Sequence, residues 1–355
     1  MSTTEHWQPQ SNDGHASLPR RTSASGGTIA VIVTAAILNV VLALVALFVI
    51  VNPQRVTDQF RVWQFQSSPA IEAYADRVSL TEEGRFLYFA SLPTIPSSAE
   101  FDRTCSSRLE GVGILGCYLP AEQTILLYDV TDERLDGLEE VVAAHELLHA
   151  VWDRLSPAER DSLGELLEAE VKRRSDDPEL AETLEFYATS EPGERLNELH
   201  SIVGSEMTDI SVELEAHYAK FFVDRAIVTA LHKQSKAVFD VQALAIKELT
   251  ARIDDLVESV DTDVAAYNSG YDQLNIDIDL FNSRADSGDF SSQSAFNAER
   301  EALLARQAAL DALYVSIDAR ATQYDALLIQ LEDLNATITQ LNSSINIAPR
   351  TEPDL

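Results

Sequence analysis

Residues 141–155 read VVAAHELLHAVWDRL, and within them His145, Glu146, Leu147, Leu148 and His149 form the pattern HExxH. On an α-helix, side chains four residues apart lie on one face about one turn apart, so both imidazoles can reach a single metal ion. Glu146, next to the first histidine, falls beside the position such an ion leaves open. The run before it, Gly137 to Ala144, sets Leu138, Val141 and Val142 among small alanines, as a buried helix does. Two histidines on that helix, flanked by Leu147 and Leu148, need a metal or polar partners. The competing reading is a pair of core histidines satisfied by their neighbours.

A catalytic zinc usually takes three protein ligands and a water, so a third ligand has to come from elsewhere in the chain. The stretch Glu194 to Gly204, ERLNELHSIVG, has a helical pattern behind Pro192 and Gly193, and Asn197, Glu198 and Ser201 in it form NExxS. HELLH followed downstream by NELHS resembles the gluzincin clan of metallopeptidases, in which a second helix supplies a glutamate ligand through such a motif. The resemblance covers two short motifs. It implies a Zn2+ cofactor held by His145, His149 and Glu198, with Glu146 as general base, acting on a peptide or protein substrate. His200, two residues from Glu198, is a rival third ligand, and Glu198 is the preferred one. A metzincin arrangement, with a third histidine six residues after the second, has no support because position 155 is Leu.

Two departures from the gluzincin pattern stand out. Where many members carry an aspartate after the serine to steady a ligand imidazole, this chain has Ile202, and Glu194, one turn before Glu198, is the carboxylate available instead. The distance from His149 to Glu198 is also long, and an inserted helical pair, Pro157 to Arg174 and Pro178 to Thr189, accounts for it. Ser156 before Pro157 and Asp177 before Pro178 are good helix starts. Donors for a developing oxyanion are sought among Tyr187, His217 and Tyr218, each of which also reads as structural.

Working outward, residues 1–27 are polar without helical or strand period and read as disordered. Thr28 to Val51 follows, with Asn39 and two threonines its only polar side chains, long enough to cross the lipid bilayer as a helix. An uncleaved signal anchor is preferred over a signal peptide, since no small-residue cleavage site follows. Arginines on both sides leave the positive-inside rule without an answer. Glu5 and Asp13 balance Arg20 and Arg21, so the whole net charge of −32 belongs to residues 52–355. That acidity would be repelled by an anionic inner leaflet. With the cysteine pair it favours a cytoplasmic N-terminus and an extracytoplasmic bulk at the cell membrane. Cys105 and Cys117, the only two cysteines, suit one disulfide in an oxidising compartment, against the alternative of two free thiols.

Asn52 to Ser68 reads as a juxtamembrane connector, with Phe60 and Trp63 suited to the interface. A short helix is expected over Pro69–Val78, and another starting at Thr81, Glu82 and Glu83 before the aromatic run Phe86 to Phe89. Gln123 to Val130, QTILLYDV, reads as a strand, either a plain core strand or one that takes an extended substrate along its edge.

From Leu214 the chain reads as one long helix as far as Ser283. Ile246, Ile253, Val260, Tyr267, Leu274 and Phe281 recur at sevens, and after the polar stretch Arg284 to Ser294 a second set runs from Leu303 to Ile345. Such heptads predict two helices folded back as an antiparallel coiled-coil hairpin. Gly270, Asp263, Asp277, Arg306 and Arg320 interrupt the companion positions. From Ala237 to Pro349 there are 19 acidic and 6 basic residues, which argues against nucleic acid as a partner. The hairpin could hold a protein partner, self-associate, limit access to the site or serve as a stalk.

Together these readings predict a mainly α chain: a disordered tail (1–27), a single transmembrane helix (28–51), and a zincin-like helical α+β domain with a small sheet (52–235). A long antiparallel coiled-coil hairpin (236–347) and a disordered tail (348–355) follow. The expected function is that of a membrane-anchored zinc-dependent peptidase, and the alternative is a non-catalytic cell-envelope scaffold using the acidic hairpin.

Overall fold

The computed structural model describes residues 1–4, 6, 8, 10, 26–105, 114–190 and 193–345, with the backbone alone at 26–29, 32, 179, 186, 187, 189 and 190. Most of the N-terminal tail, the whole 348–355 tail, Pro192 and the side chain of Tyr187 therefore lie outside the described residues. The chain divides into two units, 1–57 and 58–355.

In the first unit, helix α1 (Gly26–Val51) contains the run Val33–Val51, long and apolar enough to cross a membrane. Two of its polar side chains turn back onto the helix: Thr34 donates to the Ala30 carbonyl at 2.9 Å and Asn39 to the Ala35 carbonyl at 2.8 Å. These bonds leave both groups satisfied without water. Helix α2 (Pro53–Gln64) crosses the boundary between the units.

The second unit is built on helices, α3 (Pro69–Arg77), α4 (Glu82–Ala90) and α5 (Ser98–Thr104) coming first. Ser68 and Thr81 cap α3 and α4 through their hydroxyls, as short polar residues before a helix should. Strands β1 (Gly116–Leu119) and β2 (Thr124–Leu127) form one antiparallel ladder, with Gly116 opposite Leu127 and Leu119 opposite Thr124. The strand is thus shorter than the expected 123–130. β2 is also held on its other side, where Ile125 and Leu127 exchange backbone hydrogen bonds with Ser91 and Thr94. Both of its edges are spent within the protein, so of the two described strands β1 is the one with an edge that no other described strand fills. Cys105 and Cys117 are disulfide-bonded, tying the end of α5 to β1.

Helix α6 (Leu138–Arg154) is the central element, with Val141, Ala143, Ala144, Leu147, Leu148, Ala150, Val151 and Trp152 all buried. Gly137 opens it at φ 95°, a left-handed conformation that glycine adopts without the Cβ clash. Helices α7 (Pro157–Arg173) and α8 (Pro178–Ser190) are the expected insertion, α7 opening with a reciprocal Ser156–Glu159 capping box. Helix α9 (Arg195–Ser205) then packs along α6, and α10 (Val212–Tyr218) follows.

The single helix expected from Leu214 is in fact two, α10 and α11 (Arg225–Ser287). Tertiary pairing draws out the intervening segment: Phe222 bridges Leu80, Thr81 N–H donates to the Phe221 carbonyl, and Val223 N–H donates to the Ser79 carbonyl. Helix α11 runs unbroken through residue 236 and lies antiparallel to α12 (Gln293–Ser344). The residues that interrupt the heptads answer one another across the seam. Arg306 pairs with Asp277, Arg320 pairs with Asp263 at 2.6 Å, and a Cβ on Gly270 would come within 2.7 Å of Leu310. At its far end α12 returns to the domain, where Leu341 and Ile345 pack with Leu135. The fold is therefore mainly helical, with one apolar N-terminal helix, a two-stranded sheet and a long antiparallel helix pair.

Candidate metal centre

The close packing of α9 on α6 assembles the site. Gly204 makes that approach possible: a Cβ there would lie 2.3 Å from Leu148 Cδ1 and 2.6 Å from Tyr218 Cε1. His145, His149 and Glu198 offer one donor atom each, all within 4.8 Å of one another. Glu198 lies 3.9 Å from His145 Nε2 and 3.6 Å from His149 Nε2 through its two oxygens. The two imidazoles stand edge to face, with ring centroids 4.8 Å apart.

The other ring nitrogens are oriented from behind. His149 Nδ1 lies 2.9 Å from Asn197 Oδ1, a carbonyl oxygen that can only accept, so Nδ1 carries the proton and Nε2 presents its lone pair. His145 Nδ1 lies 3.3 Å from the Ser205 hydroxyl, which itself donates to the Ser201 carbonyl at 2.7 Å. That arrangement again puts the proton on Nδ1. Burial first, then His149 and His232, hold His145 well below the ordinary histidine range, keeping it neutral at pH 7. Two imidazoles with Nε2 turned toward a buried carboxylate suit a divalent cation such as zinc. The residues present fit the group.

Glu146, 6% exposed, lies on bare backbone of β1: a Cβ on Gly116 would sit 2.8 Å from Glu146 Oε1 and 2.5 Å from Val142 Cγ1. Glycine is required there because strand and carboxylate approach so closely.

Of the two candidates for a third ligand, Glu198 is the one brought beside His145 and His149. His200 is fully buried away from the triad, its Nδ1 donating to the Leu148 carbonyl at 3.1 Å and its Nε2 meeting His217 Nε2 at 2.9 Å. It stacks on Tyr218, whose hydroxyl donates to the His200 carbonyl at 2.8 Å. The Tyr218 hydroxyl and His217 Nε2, two of the groups considered as oxyanion donors, are thus engaged with His200. Glu194 accepts from Asn197 Nδ2 at 3.3 Å and so bears on His149 only through that amide.

Reading the motifs alone misses Ser205, Glu206 and His232. Glu206 lies 3.7 Å from His145 Nδ1 and 3.9 Å from His232 Nε2, linking the first histidine to the root of α11. A signal was present for it: Glu206 is one helical turn beyond Ile202, the position where the resemblance places a carboxylate.

The His200–His217 cluster carries a pH prediction. Burial, then Lys220, push His217 down to about 4. Between about pH 6.5 and pH 4 the unfolded chain binds this proton and the folded chain does not, so stability falls as pH falls through that window. His217 is expected to contribute roughly 2–3 kcal/mol to the loss between pH 7.5 and 4.5 in urea unfolding with chelator present, with His145 and His200 adding to it in the same direction. His217→Gln should make the profile less steep by about that share, and an unchanged profile would contradict the assignment.

Comparison with protein-family models, curated proteins and solved structures returns no significant match.

Proposed function

We propose that this chain is a membrane-anchored zinc-dependent peptidase, with His145, His149 and Glu198 as metal ligands and Glu146 as general base. The observation that carries this reading is the convergence of three ligand-type atoms within 4.8 Å, from two helices whose motifs lie 49 residues apart, with the buried Glu146 following His145 in the chain. Bound there, zinc supplies a Lewis acid that polarises a carbonyl and acidifies a water. Glu146 would serve as the group that takes a proton on its carboxylate from the attacking water and returns it to the departing amine. Asn197 and Ser205 keep the two imidazoles in the tautomer that presents Nε2. The side of β1 away from β2, which pairs with no other strand among the described residues, suits an extended peptide added as a strand. The Cys105–Cys117 disulfide supports an extracytoplasmic location, with α1 as signal anchor.

A second reading, partner binding by the hairpin, draws on Val257, Val264 and Tyr271, seven residues apart on α11 and 41%, 37% and 45% exposed. Metal content separates the two. The full chain purified in detergent is expected to hold about one zinc, lost in both His149→Ala and Glu198→Ala. Absence of zinc after reconstitution would sink the peptidase reading and leave the hairpin.

A further inference from the structure

Helix α2 is fastened to the folded unit along one side. Asp58, 1% exposed, accepts from Arg154 Nε at 3.0 Å and Nη2 at 2.9 Å. One turn on, Arg61 donates to the carbonyls of Ala90, Glu122 and Gln123 at 2.6, 3.0 and 2.7 Å. The opposite side of the same helix carries Phe60 and Trp63, 53% and 70% exposed, in edge-to-face contact with centroids 5.4 Å apart. Residues three apart share a helix face, so the pair forms one aromatic edge that the protein holds rigidly from behind and leaves uncovered. An aromatic ring buries about 150–250 Å² when covered, and tryptophan is the residue most at home where acyl chains meet headgroups.

Chain length says what covers this edge, given the reading of α1 as a membrane span. Six residues, 52–57, separate Val51 from Asp58. Seven Cα steps reach at most about 25 Å extended and about 10 Å as helix. The aromatic edge therefore cannot stand far from the lipid surface at which the span ends. Charge indicates the manner of contact: residues 52–355 carry the whole net charge of −32, so attachment has to come from aromatic insertion and not from attraction to anionic headgroups.

We propose that Phe60 and Trp63 insert into the interfacial zone of the bilayer spanned by α1, docking the folded unit on the membrane. Arg154, which fastens α2, is five residues beyond His149 on α6, about 7.5 Å along the helix. Docking through α2 thus acts on the helix that carries His145 and His149.

The test uses the full chain reconstituted in phosphatidylcholine vesicles with bromine placed either high or low on the acyl chains. Tryptophan fluorescence is compared between the native chain and Trp63→Phe, so that the difference reports Trp63 apart from Trp7 and Trp152. The expected result is a Trp63 component quenched more by bromine near the headgroups than by deep bromine and shielded from aqueous iodide. Phe60→Ser should weaken that quenching. A chain that resists alkaline extraction while its Trp63 is quenched by iodide and untouched by brominated lipid overturns the proposal. Shielding that follows protein concentration and not bromine also overturns it, assigning the edge to contact between copies. Release of the chain by alkaline extraction removes the membrane reading and this proposal with it. Zinc content of the same preparation shows whether the metal reading stands independently.

Discussion

Replacing Glu146 by glutamine is expected to leave about one zinc per chain bound while lowering peptide hydrolysis by roughly 10²–10⁴-fold. Glutamine has the size of glutamate, so it fits the same space against Gly116 and Val142 and leaves α6 and the three ligands in place. What it removes is the capacity to take a proton at the carboxylate. The comparison is with Glu198→Ala, where metal and activity should disappear together, because that change removes the proposed third ligand and opens a gap between α6 and α9. Zinc measured by elemental analysis beside the hydrolysis rate separates the roles. A Glu146→Gln variant that keeps more than about a tenth of the native rate would exclude Glu146 as the base.

The second large effect concerns stability. Arg154→Met is expected to cost about 3–5 kcal/mol in urea unfolding, because it removes the bidentate guanidinium from a buried carboxylate, Asp58. The two side chains are only 2% and 7% exposed, so water cannot replace the lost guanidinium. Adding Asp58→Leu to Arg154→Met should recover most of the loss, since a well-packed apolar pair of similar volume is often as stable as a buried ion pair. A single-variant cost below about 1 kcal/mol would mean that the pair behaves as an exposed one. The same variant loosens α2 from the folded unit, so the depth signal of Trp63 should become less sharply defined.

Much of the architecture was legible before any coordinates. The four-residue spacing of His145 and His149, among residues that bury one face, specifies a buried helix with both imidazoles on one side. The heptads after Ile246 specify two long helices, and the polar stretch between them makes those helices fold back. Serine or aspartate ahead of proline placed the starts of α7 and α8 correctly. Each of these rests on interactions between residues close in sequence, where backbone geometry alone fixes which side chains meet.

Tertiary structure decided the rest. Glu198 and His200 are two residues apart and point to different sides of α9, and only the packing of α9 on α6 turns Glu198 toward the histidines and buries His200 beneath Trp152 and Tyr218. Along one helix, Asp263, Gly270 and Asp277 look like faults in the seam. Across the hairpin they meet Arg320, Leu310 and Arg306, so the seam is matched and not broken. The break between α10 and α11 is invisible in a helical pattern, because it comes from the bridge to Leu80, far away in the chain. By itself the sequence determined the helices, the two metal-site motifs and the apolar run. Facing, pairing and the support behind the ligands came only with the fold, since a periodic pattern says which residues share a face but not what that face will meet.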